Sequence, residues 1–327
     1  VFISSDKRGS KFIQSKSENL KIINVMPLTK NFLTLPWNIL LFVFGIIKSV
    51  ILIKKNKIKI IISTGGYMSL PVCIAAKILS CKIILFEPNI VIGRANLFLL
   101  NSSSFIFCYS KKIINFPKKF KNKLKLIPPL LRKELYLEKR NDYKTLSRTV
   151  KILIIGGSQG ADFFQKKLKD LILKLSKIFD LEVTHQTSKE NKNNLESFYK
   201  ENSIKYNLFY FEKSIHKLIL KSNLCITRSG ASSLAELVHL NLPFIAIPFP
   251  YAKDNHQYYN ALHYLNLNCC WMVEQSSNIS DELFSLISKI FKNKDDLNKK
   301  RDVMKKISYE NSWNNINKKI ISFINEN

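Results

Sequence analysis

Residues 150–161 read VKILIIGGSQGA, and residues 224–236 read LCITRSGASSLAE. Each is a short apolar run, then a turn of glycine and serine, then residues suited to a helix. A strand feeding a helix through a tight turn therefore occurs twice. Apolar runs without alternation belong to strands buried on both faces, the habit of parallel sheets covered by helices. Outward from these two stretches the alternation continues. KIKIIIST (57–64), CKIILFEP (81–88), FIFCYS (105–110), LKLIPP (124–129), LEVTHQTS (181–188), YNLFYF (206–211) and PFIAIPFP (243–250) read as strands. VCIAAKILS (72–80) reads as a helix, and helices separate the later strands. The pattern predicts an α/β fold built on parallel sheets.

The 327 residues, 46% of them hydrophobic, can fill two ordinary cores and exclude a disordered chain. KELYLEKRNDYKTLSRT (133–149) is polar and charged and reads as a linker. The boundaries that follow are one domain over 1–140 and a second over 148–305. A C-terminal helix over 306–327 should pack back on the body, because SWNNINKKIISFINEN (312–327) has apolar residues at helical spacing. The six cysteines show no C-x-x-C spacing and mostly sit in apolar runs. Buried thiols are expected, not a zinc site or a disulfide scaffold.

Lys and Arg number 52 against 24 Asp and Glu, a net charge of +28. Such a charge attracts anions. A chain saturated with Lys, Ile and Asn also acquires it from composition alone, and both readings stand. No basic stripe interleaves with exposed aromatics, so nucleic acid is not an expected partner. VFISSD (1–6) is strand-like and shows no secretory signal. The segment 32–53, FLTLPWNILLFVFGIIKSVILI, is strongly apolar, is interrupted by Pro36 and Lys48, and is followed by Lys54, Lys55, Lys57 and Lys59. A spanning helix needs about 20 apolar residues. This segment reads as an interfacial helix with a basic rim, Trp37, Phe42 and Phe44 being its membrane contacts. A buried core helix and a true span are the alternatives.

Several turns carry chemistry. In 156–161 the glycines let the backbone approach a ligand, the following helix presents free N–H groups to a phosphate, and Ser158 could donate one more bond. The plain alternative is a turn that binds nothing. Neither G-x-G-x-x-G nor a P-loop is present. In 227–236, Ser233 and Glu236 have capping-box spacing. The functional alternative is a helix start aimed at a phosphate, with Glu236 accepting from a ribose diol. Thr64-Gly65-Gly66-Tyr67 and Phe86-Glu87-Pro88-Asn89 lie at strand ends, where open parallel sheets bind ligands. Asp254-Asn255-His256-Gln257 with Asn260 follows another strand. No D-x-D motif occurs, so no metal ion or other cofactor is expected.

In this order GGYMSLP (65–71), EPN with IGRAN (87–96), GGSQGA (156–161), RSGASSLAE (228–236) and HQYYNA (256–261) resemble the MurG glycosyltransferases. Those enzymes move N-acetylglucosamine from UDP-N-acetylglucosamine to undecaprenyl-pyrophosphoryl-N-acetylmuramoyl-pentapeptide (lipid I), giving lipid II in peptidoglycan synthesis. The resemblance implies two Rossmann-like domains facing a cleft, the GT-B architecture. The first would meet the lipid acceptor, with the protein peripheral on the anionic cytoplasmic face of the inner membrane. The second would bind the donor.

The resemblance also implies roles. Ser158 lies near the phosphates. Ala231, Ser232, Ser233, Leu234, Ala235 and Glu236 hold diphosphate and ribose. Glu212, where the family has an apolar residue, pairs with uracil through its main chain. Gln257 contacts the sugar, Asn89 lines the cleft, and Arg132 is a cleft arginine after a proline. Gly66 and Tyr67 belong to the acceptor side. The implied reaction is a single inverting displacement by the acceptor 4-hydroxyl, with Arg228 or Arg132 aiding the leaving diphosphate. Phe86-Glu87-Pro88-Asn89 replaces the family's H-E-Q-N. Val1 aligns with the family's second strand, so the loop carrying the general-base histidine is not in this sequence, and Glu87 is the stand-in. The alternatives are a truncated non-catalytic copy that binds UDP-sugar, or another UDP-sugar enzyme such as an epimerase.

Overall fold

A computed structural model of the protein describes residues 3–5, 19–23, 34–138, 149–308 and 311–326. The chain forms two compact units, Val1–Ile127 and Pro128–Asn327.

In unit 1, β1 (Ile3–Ser5) and β2 (Leu20–Ile22) make a separate parallel pair. There follow α1 (Leu35–Lys55), β3 (Ile60–Ser63), α2 (Leu70–Ile78), β4 (Lys82–Glu87), α3 (Arg94–Leu99), β5 (Phe105–Cys108) and β6 (Leu124–Leu126). The four later strands form a parallel sheet in the order β3-β4-β5-β6. All four residues of β5 are buried, as a strand without alternation requires. Ile83, Leu85, Ile106 and Cys108 pack with Ala75 and Ala76 of α2 and with Leu99 and Leu100. At the end of β3, Gly65 has φ +79, and a Cβ there would stand 3.0 Å from the Asn96 amide. Glycine is needed both for the left-handed backbone and for the space.

Helix α1 has two faces. Asn38, Gly45, Ser49 and Ile53 are buried, and a Cβ on Gly45 would meet Pro71 of α2 at 3.5 Å. Trp37, Leu40, Phe44, Ile47 and Ile51 are 50–61% exposed. Their spacing of three and four residues puts them on one outward stripe. Phe42, expected in that contact, is only half-exposed and stands off the stripe. Neither Pro36 nor Lys48 breaks the helix. Proline sits in the first turn, where its missing N–H has no partner to lose, and Lys48 lies over the Phe44 ring at 4.6 Å. By length and composition the 21-residue helix is apolar enough to cross a membrane.

Unit 2 comprises α4 (Lys133–Leu137), β7 (Val150–Ile155), α5 (Gly157–Ser176), β8 (Leu181–Gln186), α6 (Lys192–Glu201), β9 (Lys205–Phe209), α7 (Ile215–Leu220), β10 (Leu224–Thr227), α8 (Ala231–His239), β11 (Phe244–Ala246), α9 (His256–Asn266), β12 (Cys270–Met272), α10 (Ile279–Lys292), α11 (Lys294–Ser308) and α12 (Trp313–Asn325). The parallel sheet runs β12-β11-β10-β7-β8-β9. The chain builds outward from β7 to β9, then crosses to the other side of β7 and builds outward again. The reversal lies between β7 and β10. A buried cluster covers each face of the sheet.

The stretch read as a linker is partly structured. Residues 133–137 form α4, while 139–148 lie outside the described residues. Leu135 is fully buried in unit 2, and His239 Nε2 donates to its carbonyl at 3.2 Å. Tyr136 packs its ring against His239 and Trp313, and its hydroxyl donates to the Pro129 carbonyl. Two apolar side chains in ELYL thus carry 128–138 into the second unit, whereas a boundary at 140 places that segment in the first domain. In α12, Ile316 is fully buried. All six cysteines are free, and five are buried.

Candidate active site

Strands β7 and β10 pair so that Ile155 stands opposite Thr227, and the Arg228 N–H donates to the Ile155 carbonyl at 3.2 Å. The two glycine turns therefore leave the sheet side by side, at the reversal point where open parallel sheets form a crevice. Helix α5 starts at Gly157 and α8 at Ala231; their N-caps are Gly156 and Gly230, with no side-chain cap on either. The first helical bond of α8 runs from Leu234 N to the Gly230 carbonyl, 3.0 Å, which leaves the leading N–H groups pointing off the helix end. Gly157 has φ +65, with nothing within 4 Å of where a Cβ would stand. Two helix N-termini and open backbone at one edge suit an anion. The side chains of Ser158, Gln159 and Ala161 lie outside the described residues.

Amide side chains weld the turns together. Gln257 Oε1 accepts from Ser229 N at 3.2 Å and from Phe249 N at 3.0 Å. Two N–H donors on one oxygen fix the amide's orientation, so what Gln257 can offer a ligand is its Nε2. Asn260 Nδ2 donates to the Ser229 carbonyl, and Gln186 Oε1 accepts from Gly157 N at 2.9 Å. Gln186 and Asn260 lay inside quoted stretches of sequence, but no local pattern announced these cross-loop bonds.

Arg228 is a brace rather than a phosphate ligand. Its Nη1 donates to the Ile247 and Pro248 carbonyls and its Nη2 to Gln275 Oε1. The guanidinium lies 4.9 Å from the rings of Phe163 and Phe164 and 5.4 Å from Phe249, and the residue is 6% exposed. Burial lowers its pKa to about 10, so it stays charged at neutral pH. The expectation that it aids the diphosphate fails because the guanidinium is buried and both of its Nη groups are committed to Ile247, Pro248 and Gln275.

Glu236 is not a cap. Since α8 begins at Ala231, Ser233 is its third residue and the capping-box register is lost. Leu234 and Ala235 are buried, so they can serve a ligand only through their backbone, whereas Ser232 is exposed. The Glu236 carboxylate accepts from Arg132 Nε and Nη2 at 3.1–3.2 Å, and Arg132 Nη1 donates to the Lys213 carbonyl at 3.0 Å. Burial pushes the Glu236 carboxyl pKa up, and Arg132 opposes that shift. Glu212 Oε1 accepts from Ser214 N at 2.7 Å. Its side chain closes its own turn, leaving the main chain for any ligand.

The first-domain candidates lie in unit 1. Glu87 is 3% exposed, and its carboxylate accepts from Asn89 N, Asn89 Nδ2, Gly93 N and Asn96 Nδ2 at 2.7–3.2 Å. The lone pairs are spent on the loop 88–96. Glu87 thus organises that loop, which corrects its reading as a stand-in base. Asn89 and Asn96 flank it, and the Phe86 ring meets Tyr109 edge-on. Gly66 has φ +78 with open space at its Cβ position, and Tyr67 is 40% exposed.

Comparison with known proteins places this geometry. Residues 1–103 match the glycosyltransferase family 28 N-terminal domain, and residues 151–315 match the family 28 C-terminal domain. A Pelagibacter ubique protein is 46% identical over 327 residues, covering 100% of this chain and 91% of its own. It bears the name UDP-N-acetylglucosamine–N-acetylmuramyl-(pentapeptide) pyrophosphoryl-undecaprenol N-acetylglucosamine transferase. A Wolbachia pipientis protein of the same name is 34% identical over 86% of this chain and 81% of its own. The crystal structure of Acinetobacter baumannii MurG superimposes with a TM-score of 0.76 at 18% identity, over 100% of this chain and 91% of that one. A UDP-N-acetylglucosamine 2-epimerase structure reaches 0.64 at 10% identity, over 94% and 85%. The two likenesses share a fold; the high-identity relatives separate transferase from epimerase.

Replacing Glu87 with Ala should destabilise the protein by about 3 kcal/mol, because several buried donors lose their acceptor. Urea unfolding checks this. Wild-type stability with abolished transfer would return Glu87 to a catalytic role.

Proposed function

This chain belongs to the MurG family of glycosyltransferases, and we propose that it moves N-acetylglucosamine from UDP-N-acetylglucosamine to the 4-hydroxyl of undecaprenyl-pyrophosphoryl-N-acetylmuramoyl-pentapeptide, giving lipid II for peptidoglycan. The observation that carries this reading is the pairing of β7 with β10. It sets the N-termini of α5 and α8 at one edge, beside Glu236 and Gln257.

The roles follow from what each group has left to give. The diphosphate takes the leading N–H groups of α8 and those of α5 after Gly157, whose own N–H is held by Gln186, joined by the Ser158 turn and by Ser232. Glu236 accepts from ribose hydroxyls. The Glu212 main chain reads uracil, and Gln257 Nε2 donates to a sugar hydroxyl. As the acceptor hydroxyl attacks the anomeric carbon, the glycosidic C–O bond to UDP breaks and negative charge grows on the diphosphate. Fixed helix ends stabilise that charge without having to reorient. Gly66 and Tyr67 serve the acceptor from unit 1.

The membrane reading rests on unit 1. Residues 1–127 hold 21 Lys and Arg but three Asp and Glu, whereas 128–327 hold 31 and 21. Cation density is nearly equal in the two parts, and the excess in unit 1 comes from missing acids. A lysine-rich composition alone does not predict that. The buried stripe of α1 seats the helix on its own unit and turns Trp37, Leu40, Phe44, Ile47 and Ile51 outward. A helix with one face in protein, the other apolar, and a lysine rim suits a peripheral position on the anionic cytoplasmic face of the inner membrane.

Glu236→Ala should weaken UDP-N-acetylglucosamine binding by about 1–3 kcal/mol, as for other hydrogen bonds to charged groups. Calorimetry checks it, with transfer to lipid I assayed in parallel; wild-type affinity in this variant would remove Glu236 from the donor site. Binding to anionic liposomes should fall steeply with salt, and replacing Trp37, Phe44 and Ile47 with Ser should weaken it while leaving UDP affinity unchanged. Release by detergent alone, at any salt, would mean that α1 spans the bilayer.

A further inference from the structure

Arg132 is held in place by the segment that carries it and by its own bonds. Pro128-Pro129 opens unit 2, and the segment after it is fastened at several points. The Tyr136 hydroxyl accepts from Leu131 N at 2.9 Å and donates to the Pro129 carbonyl at 3.0 Å. Asn311 Nδ2 also donates to that carbonyl, at 3.2 Å. His239, on the same helix as Glu236, grips the Leu135 carbonyl. Arg132 is the N-cap residue of α4, between these anchors. Its guanidinium then spans two loops. Nε and Nη2 take both oxygens of Glu236, and Nη1 takes the carbonyl of Lys213, next to Glu212.

We propose that Arg132 is a positioning residue of the donor-nucleoside site, clamping Glu236 and the 212–214 turn in one geometry, and that it does not act by contacting the diphosphate. The proposal rests on the reading of Glu236 as the ribose acceptor. Three features support it. A planar guanidinium can grip both carboxylate oxygens while its third nitrogen reaches elsewhere, which a lysine ammonium cannot do. The Glu236 side chain is 15% exposed and that of Arg132 42%, so the carboxylate is the sheltered partner and the arginine its counter-ion. A sheltered carboxylate facing an anionic ligand would repel it, and a fixed guanidinium cancels that charge. The turn is held twice, by Glu212 on Ser214 N and by Arg132 on the Lys213 carbonyl. Base recognition and ribose recognition thereby share one bridge.

The test is the ratio of affinities for UDP and for 2′-deoxy-UDP and 3′-deoxy-UDP, measured by calorimetry on the full chain and on Arg132→Gln, Arg132→Lys and Glu236→Gln. In the wild type at least one deoxy analogue should bind about 10- to 100-fold more weakly than UDP, the usual worth of a hydrogen bond to a charged group. Glu236→Gln should bring that ratio to within about threefold of unity. Arg132→Gln should do the same although the carboxylate is still there, and Arg132→Lys should restore part of the ratio by returning the charge. If Arg132→Gln weakens UDP but keeps the wild-type ratio, Arg132 acts on the phosphates and the proposal is overturned. Unchanged affinity and ratio in Arg132→Gln also overturns it. If Glu236→Gln keeps the wild-type ratio, the ribose reading itself fails, whatever Arg132 does. Should Arg132→Gln not fold, a ratio in a folded Arg132→Lys clearly below that of the wild type supports the clamp, and the full wild-type ratio there rejects it.

Discussion

Unit 2 depends on one pairing: β10 lies against β7 rather than against the strand that precedes it in the chain. Ile155 and Thr227 stand opposite each other, so the turns at 156–157 and 228–230 open at the same point of the sheet edge. Had β10 simply extended the sheet beyond β9, the two helix N-termini would lie several strands apart, at about 4.8 Å per strand. No single diphosphate could then meet both. All four residues of LCIT are covered, as a strand inside the sheet requires.

Around that edge, polar groups divide into those that hold the site and those left to face a ligand. Arg228 spends its Nη1 on two backbone carbonyls and its Nη2 on Gln275, Asn260 donates to the Ser229 carbonyl, and Gln257 spends its oxygen on two N–H groups. Arg228 shows why charge alone is a poor guide to function. A guanidinium beside a phosphate turn looks like a ligand group, yet Phe163, Phe164 and Phe249 enclose it. Glu87 gives the same lesson in unit 1. A carboxylate at a strand end looks like a base until its four donors are counted.

Much of this was legible in the sequence. Unalternating strands, glycine turns and helical spacings gave the α/β class, the parallel sheets and the turns at 65–67, 156–161 and 228–236, because those signals are local. Three kinds of feature were not. β12 is three residues within CCWMV, too short for any period. The docking of 133–137 depends on Leu135 and Tyr136 finding partners more than a hundred residues away. The assignment of Phe42 to the outward face of α1 failed because composition gives the hydrophobicity of a helix, whereas its phase is fixed by Asn38, Gly45 and Ser49 packing inward. Side-chain roles at 87 and 228 were read from residue type, and geometry reversed both.

UDP-N-acetylglucosamine is proposed to bind at the β7–β10 edge of unit 2. Hydrogen–deuterium exchange with and without the nucleotide sugar tests it most directly, because backbone N–H groups are the proposed ligands. Bound donor should slow exchange at 157–161, 211–214 and 229–236 and leave 60–99 unchanged. Protection confined to unit 1, or absent from both helix starts under saturating donor, would contradict the account.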